Sequence, residues 1–279
     1  MKKNASTIIL LVMLFTGLSL LLYPTFADWW NTFHSSVAIV DYDTALADME
    51  PEDYSHLFAA AEAYNREMAK IDFPLMYHDQ VPGYEETLNV AGNGVMAYIS
   101  IEKIDVSLPI YHGTSDGVLQ KAVGHLEGTS LPTGGESTHC ALSAHRGLPS
   151  ARLFTDLGKL EEGDIFTLTV LDRVLTYEVD QILIVEPQDV DSLYVVEGED
   201  LCTLVTCTPY GINTHRMLVR GHRIENLKEV RVLRVTADAV QIEPILVTPL
   251  VAAPMLLILL IALLIPKPPK YTGEDWTIE

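Results

Sequence analysis

Two stretches without a charged residue, Ala5 to Ala27 and Pro244 to Pro266, constrain this chain first, because each is long enough to cross the hydrocarbon core of a bilayer. Lys2 and Lys3 precede the first run, and Trp29-Trp30 follows it as an interfacial aromatic belt would. Residues 1–27 therefore read as a retained membrane anchor or, with Thr25-Phe26-Ala27 as a small-x-small site, as a cleaved signal segment. The second run shows no amphipathic stripe. It reads as a transmembrane helix over 244–266, reached through a linker at 236–243, and Lys267 and Lys270 assign the tail at 267–279 to the cytoplasm. With both runs retained, everything from about 28 to 243 faces the outside.

The middle reads as ordinary globular sequence. A formal charge of −20, from 18 basic and 38 acidic residues, excludes a nucleic-acid partner, since phosphate neutralisation needs clustered Lys and Arg. Tyr54, Leu57, Phe58, Ala61, Tyr64 and Met68 recur at helical steps, and Pro51 suits the first turn of the second of two helices. Residues 28–93 thus form a helical extension. Its last part, about 71–91, holds Pro74, Pro82, Gly83 and Gly92 without a period and reads as a loop or lid.

From 94 to 235 short β-type runs take over. Eight are expected: Val95–Ile101, Val106–Tyr111, His139–Ala144, Ile165–Leu171, Val174–Val179, Ile182–Val185, Cys202–Cys207 and Met217–Arg220. The fold class is mainly β, an eight-stranded barrel with an α-helical N-terminal extension and a membrane helix at each end.

Cys207 ends one of these runs just before Pro209-Tyr210-Gly211, so a rigid strand would hold the sulfur and a turn would leave space for a substrate carbonyl. A thiol needs a partner for its proton, and His145, also at a strand end before a turn, is the best placed. His34 and His56 lie in the amino-terminal region, His78 in the loop and His112 near a strand end beside Gly113; His139, His215 and His222 read as hydrogen-bonded or exposed, and His125, in Gly124-His-Leu-Glu, is the one that could line a groove. A guanidinium suits the oxyanion of a tetrahedral intermediate. Arg216 and Arg220 share a face by two-residue alternation, and Arg216 lies nearer the turn; Arg220 reads as an ordinary ion-paired arginine.

Cys140 and Cys202 each lie five residues before His145 and Cys207, on the opposite face from them. If their strands pair in parallel and in register the two are neighbours, as packed thiols or as a disulfide. No metal-ligand spacing, phosphate loop or dinucleotide fingerprint is present, and no cofactor is expected.

Thr206-Cys-Thr-Pro-Tyr-Gly-Ile-Asn-Thr-His-Arg216 with Leu218-Val-Arg-Gly-His-Arg223 resembles the cysteine-to-arginine signature of sortases, and Ser143-Ala-His-Arg-Gly-Leu-Pro-Ser-Ala-Arg-Leu-Phe-Thr-Asp-Leu157 resembles the stretch around the sortase histidine. The helical extension, the Pro-Tyr-Gly-Ile-Asn run and the second span are similar to the class C, pilus-polymerising branch. The resemblance implies a sortase barrel that cleaves an LPxTG-like sorting signal between Thr and Gly, holds a thioacyl on Cys207, and passes it to a lysine amine of a pilin subunit. His145 is then the acid/base and Arg216 the substrate and oxyanion stabiliser, with Thr206, Thr208 and His125 in support. Class C enzymes usually carry an Asp-Pro-aromatic lid motif; here the order is Ile71-Asp-Phe-Pro74, so Asp72 is the candidate to pair with Arg216 and Phe73 to cover Cys207. The alternatives are a cysteine peptidase, a housekeeping-type sortase that anchors proteins to the cell wall, and a non-catalytic pilus-assembly scaffold.

Overall fold

The computed structural model describes residues 2–47 and 49–226. The expected linker, C-terminal span and tail, and the last residues of the expected 94–235 domain, lie outside the described residues.

Eight strands close into a barrel: β1 (Val95–Ile101), β2 (Val106–Tyr111), β3 (Val123–His125), β4 (Thr138–Ser143), β5 (Ile165–Val170), β6 (Arg173–Val185), β7 (Asp200–Thr208) and β8 (His215–Ile224). Their order around the barrel is β1-β2-β3-β4-β7-β8-β6-β5. The pairs β2–β3 and β4–β7 are parallel and the others antiparallel. Alternation sends Ile99, Ile101, Ile110, Leu142, Leu168, Leu204 and Val219 into the closed interior, where each is fully buried. Phe166 and Tyr177 stack there at 5.5 Å, and Gly221 gives them room, because a Cβ at that position would come within 2.7 Å of the Phe166 ring.

The strand count agrees with expectation, but the strands themselves differ in two places. Val174–Val179 and Ile182–Val185 are one strand, β6, whose register shifts between Val179 and Gln181, so the alternation restarts across a bulge. The remaining strand, β3, has only three residues, too few to show a period.

Helix α1 runs unbroken from Lys2 to Ala47, with Pro24 inside it. No break marks the boundary expected at residue 27. Its stretch from Thr7 onward is long and apolar enough to cross a membrane. Its second half is a barrel-packing element. Ser35, Tyr42 and Leu46 are buried at helical spacing, and the fully buried Tyr42 hydroxyl donates to the Met96 carbonyl at 3.0 Å while accepting the Leu171 N–H at 2.8 Å. Lower on the helix, Asn31 Nδ2 donates to the Ser150 carbonyl at 2.7 Å and Asp28 Oδ1 accepts the Arg152 N–H at 2.8 Å. Helix α2, Pro51–Met68, starts with Pro at its first position, as expected, and Asp53 accepts the Glu50 N–H at 3.1 Å. Its Asn65 is buried against the β3–β4 connection, taking the Leu131 N–H at 2.8 Å and donating to Thr133 Oγ1 at 3.0 Å.

Candidate active site

Three strands position the site. On β7 and β8 the antiparallel register pairs Cys207 directly with Arg216, Val205 with Leu218, and Thr203 with Arg220. On β4 and β7 the parallel register pairs Ala141 with Thr203 and Ser143 with Val205. Neighbouring strands lie roughly 4.8 Å apart. Two further bonds carry the β4–β7 alignment past the strand end: Ala144 N–H donates to the Val205 carbonyl at 3.1 Å, and Thr206 Oγ1 donates to the Ala144 carbonyl at 2.8 Å. His145 directly follows Ala144, so the chain enters it from β4 as β7 reaches Cys207. The end of β7 therefore carries the Cys207–Arg216 pair on one side and the approach to His145 on the other, with Cys207 half-buried.

The Arg216 guanidinium donates through Nη1 to the carbonyls of Asn213 and His215, at 3.3 and 3.2 Å. These bonds hold it against the β7–β8 turn. Arg220 is the ion-paired residue expected of it, with Nε and Nη2 on the two carboxylate oxygens of Asp180 at 3.0 and 2.9 Å.

The outward positions of β4, β7 and β8 form a strip that leads to this cluster. Ala141, Val205 and Leu218 are buried on the barrel's outer side together with Leu193, from the 186–199 loop. Leu75, Leu183 and Val185 pack against them. Beyond the apolar part lie Thr203, Arg220 and Asp180, so the strip is polar at one end and reactive at the other.

Leu75 belongs to a single helical turn, Pro74–Tyr77, whose backbone presses on Gly128. A Cβ at Gly128 would come within 2.5 Å of the Pro74 carbonyl oxygen and 2.7 Å of Leu75 Cα. This corrects the expected lid contacts. Phe73 is 65% exposed, and its left-handed backbone (φ 56°) starts the turn that delivers Leu75, not itself, to the barrel. Asp72 is exposed, and Arg216 bonds to backbone carbonyls in its place.

His125 is a second correction. It pairs with the inward-facing Leu142 and is fully buried, its Nδ1 at 2.8 Å from the Tyr84 hydroxyl and its Nε2 at 2.9 Å from the Ser130 carbonyl. Its ring ties the 78–93 segment to the barrel and does not face the strip. Thr206 and Thr208 are likewise buried, on the side of β7 opposite Cys207. Thr206 clamps β4 as described, and Thr208 Oγ1 accepts from Arg146 Nη1 at 3.2 Å.

Cys140 and Cys202 are direct partners across β4–β7, as the conditional expectation required, and both are free thiols. Burial in the barrel pushes the Cys202 thiol well up, and the neighbouring Cys140 adds to the shift. His139, read from sequence as hydrogen-bonded or exposed, is hydrogen-bonded through both ring nitrogens. It is 1% exposed, with Nδ1 at 2.9 Å from the Tyr194 carbonyl and Nε2 at 2.7 Å from Thr203 Oγ1. Burial lowers its pKa from 6.5, and Arg220 acts in the same direction.

Comparison with known proteins agrees with this fold. A sortase domain matches residues 99–224. Sortase D of Bacillus subtilis is 31% identical over 129 residues, covering 45% of this chain and 62% of that protein, and sortase A of Streptococcus agalactiae is 31% identical over 117 residues, 47% of its length. The chain thus spans less than two thirds of these curated relatives. Among solved structures, sortase C1 from Streptococcus agalactiae is 48% identical with a TM-score of 0.63, covering 68% of this chain and 99% of that one. Sortase C of Streptococcus pneumoniae is 43% identical with a TM-score of 0.57, covering 66% and 95%. These structural neighbours are class C pilus sortases, and with that likeness extending over essentially their whole length, the chain belongs to the sortase family.

Proposed function

We propose that this chain is a membrane-anchored cysteine transpeptidase that cleaves an LPxTG-like sorting signal between Thr and Gly and transfers the acyl group to a pilin lysine, building covalent pili. The observation that carries the reading is the register that pairs Cys207 with Arg216 on one side of β7 and aligns the end of β4, just before His145, on the other. In the first step the Cys207 sulfur attacks the threonine carbonyl, and the Arg216 guanidinium meets the charge that develops on oxygen. His145 delivers a proton to the departing glycine amine, leaving a thioacyl enzyme. A lysine amine then attacks the thioester, His145 takes its proton, and an isopeptide bond replaces the carbon–sulfur bond. The apolar part of the strip accepts the signal's leucine and proline. With the apolar part of α1 in the membrane, the barrel works on the outer side.

The test is to incubate the protein with an LPxTG peptide, with and without an amine, and follow both protein and peptide by mass. A thioacyl adduct on Cys207 and ligated product are expected; Cys207→Ala should give neither, and His145→Ala or Arg216→Ala should lower turnover by about 10²- to 10⁴-fold. Hydrolysed peptide alone, in the presence of amine, would make the chain a peptidase. No adduct under any condition would refute the reading.

A further inference from the structure

We propose that His139 is a positioning residue that sets specificity for the first side chain of the sorting signal by fixing the 186–199 loop over the end of the strip remote from Cys207. The inference rests on the strip's being the signal-binding surface. A carbonyl oxygen can only accept, so the Nδ1 contact with Tyr194 requires a proton on Nδ1, and Nε2 then accepts from the Thr203 hydroxyl. The ring is thereby locked between a floor residue of β7 and the loop backbone. Tyr194 directly follows Leu193, which is 6% exposed and packs with Ala141, Val205 and Leu218. The histidine thus holds the loop one residue from the side chain that closes the strip.

Dimensions indicate which part of a peptide meets that wall. Thr203 is four residues up β7 from Cys207, roughly 13 Å at strand rise. In an extended Leu-Pro-x-Thr segment the leucine lies three residues from the scissile threonine, roughly 10 Å away. A leucine in that position falls between Val205 and Thr203, against Leu193. Its discrimination from a smaller residue depends on a wall that does not yield, and the two bonds of His139 supply that rigidity.

The experiment compares kcat/KM for LPxTG and APxTG peptides in the full-length protein carrying Leu75→Ala, so that the 74–77 turn does not limit entry. His139→Leu should reduce the preference for leucine by about tenfold or more through KM, with kcat for the leucine peptide within about threefold of the parent. His139→Asn keeps a donor and an acceptor and should retain most of the preference. Thr203→Val, which removes one of the two bonds with little change in volume, should show a smaller loss in the same direction and decides the matter if His139→Leu does not fold. An unchanged preference in both His139→Leu and Thr203→Val, or in Thr203→Val alone where His139→Leu does not fold, overturns the inference while leaving the proposed function intact. So does a fall in kcat that tracks lost thermal stability. A parent protein that cleaves neither peptide, or both equally, refutes the binding surface and the inference with it.

Discussion

Cys207, Arg216 and Ala141 share one face of the sheet because side chains alternate along a strand, and the same rule sends Cys140, Cys202 and Leu142 inward. That rule is available from sequence, which is why the shared face of Arg216 and Arg220 and the opposite facing of Cys202 and Cys207 were legible from sequence alone. His139 was not, because its partners Tyr194 and Thr203 lie 55 and 64 residues away and only the folded register brings them together. It also has a measurable consequence for acid stability. Its folded pKa is held below 6.5, so the unfolded chain binds the proton more readily. Stability contributed by the neutral ring is complete above about 6.5, declines as pH falls below that value, and levels off beneath the folded pKa. The difference in urea midpoint between the protein and His139→Asn should therefore shrink as pH drops from 7 toward 5. At the same scale the Asp72 and Phe73 expectations came from a motif whose order is changed here, and the side chain that reaches the strip is the aliphatic Leu75 two positions on from Phe73.

The turn Pro74–Tyr77 covers the strip by two devices, the packing of Leu75 and the close approach permitted by the absent Cβ of Gly128. Each predicts a way to open it. Leu75→Ala should speed alkylation of Cys207 several-fold, about what loss of one apolar contact of roughly 1–2 kcal/mol allows. Gly128→Ala should do the same without changing a residue of the turn, since a methyl group would meet Pro74 and Leu75 backbone and strain a φ of +88°. Asp72→Ala with Phe73→Ala should leave the rate nearly unchanged, because Phe73 is mostly exposed. Rapid-quench labelling followed by peptide mapping separates the three. Among the strands, the longer apolar runs bounded by turn residues were legible, β1 and β2 to the residue. The two that were misread are the three-residue β3 and the bulged β6, where the period is too short or interrupted.

Across the whole molecule, the barrel and the apolar helix are joined by structure that the charge pattern concealed. The uncharged run ends at Asp28, which suggests a boundary, yet α1 continues to Ala47, and its buried stripe of Ser35, Tyr42 and Leu46 is interleaved with exposed residues. Tyr42→Phe should cost about 1–3 kcal/mol, measured as a lower unfolding midpoint, because it leaves the buried Met96 carbonyl and Leu171 N–H without their partner. Under the proposed function, the continuity of α1 also bears on which substrates are processed. A helix of 46 residues is roughly 69 Å long. Bonds at Asp28, Asn31 and Tyr42 fix the barrel to it, so once the apolar part is seated in a bilayer the reactive sulfur stands at one height above the lipid. A substrate held at the same bilayer must then bring its scissile bond to that altitude, and the length of chain between lipid and cleavage point becomes a ruler against which it is accepted or refused.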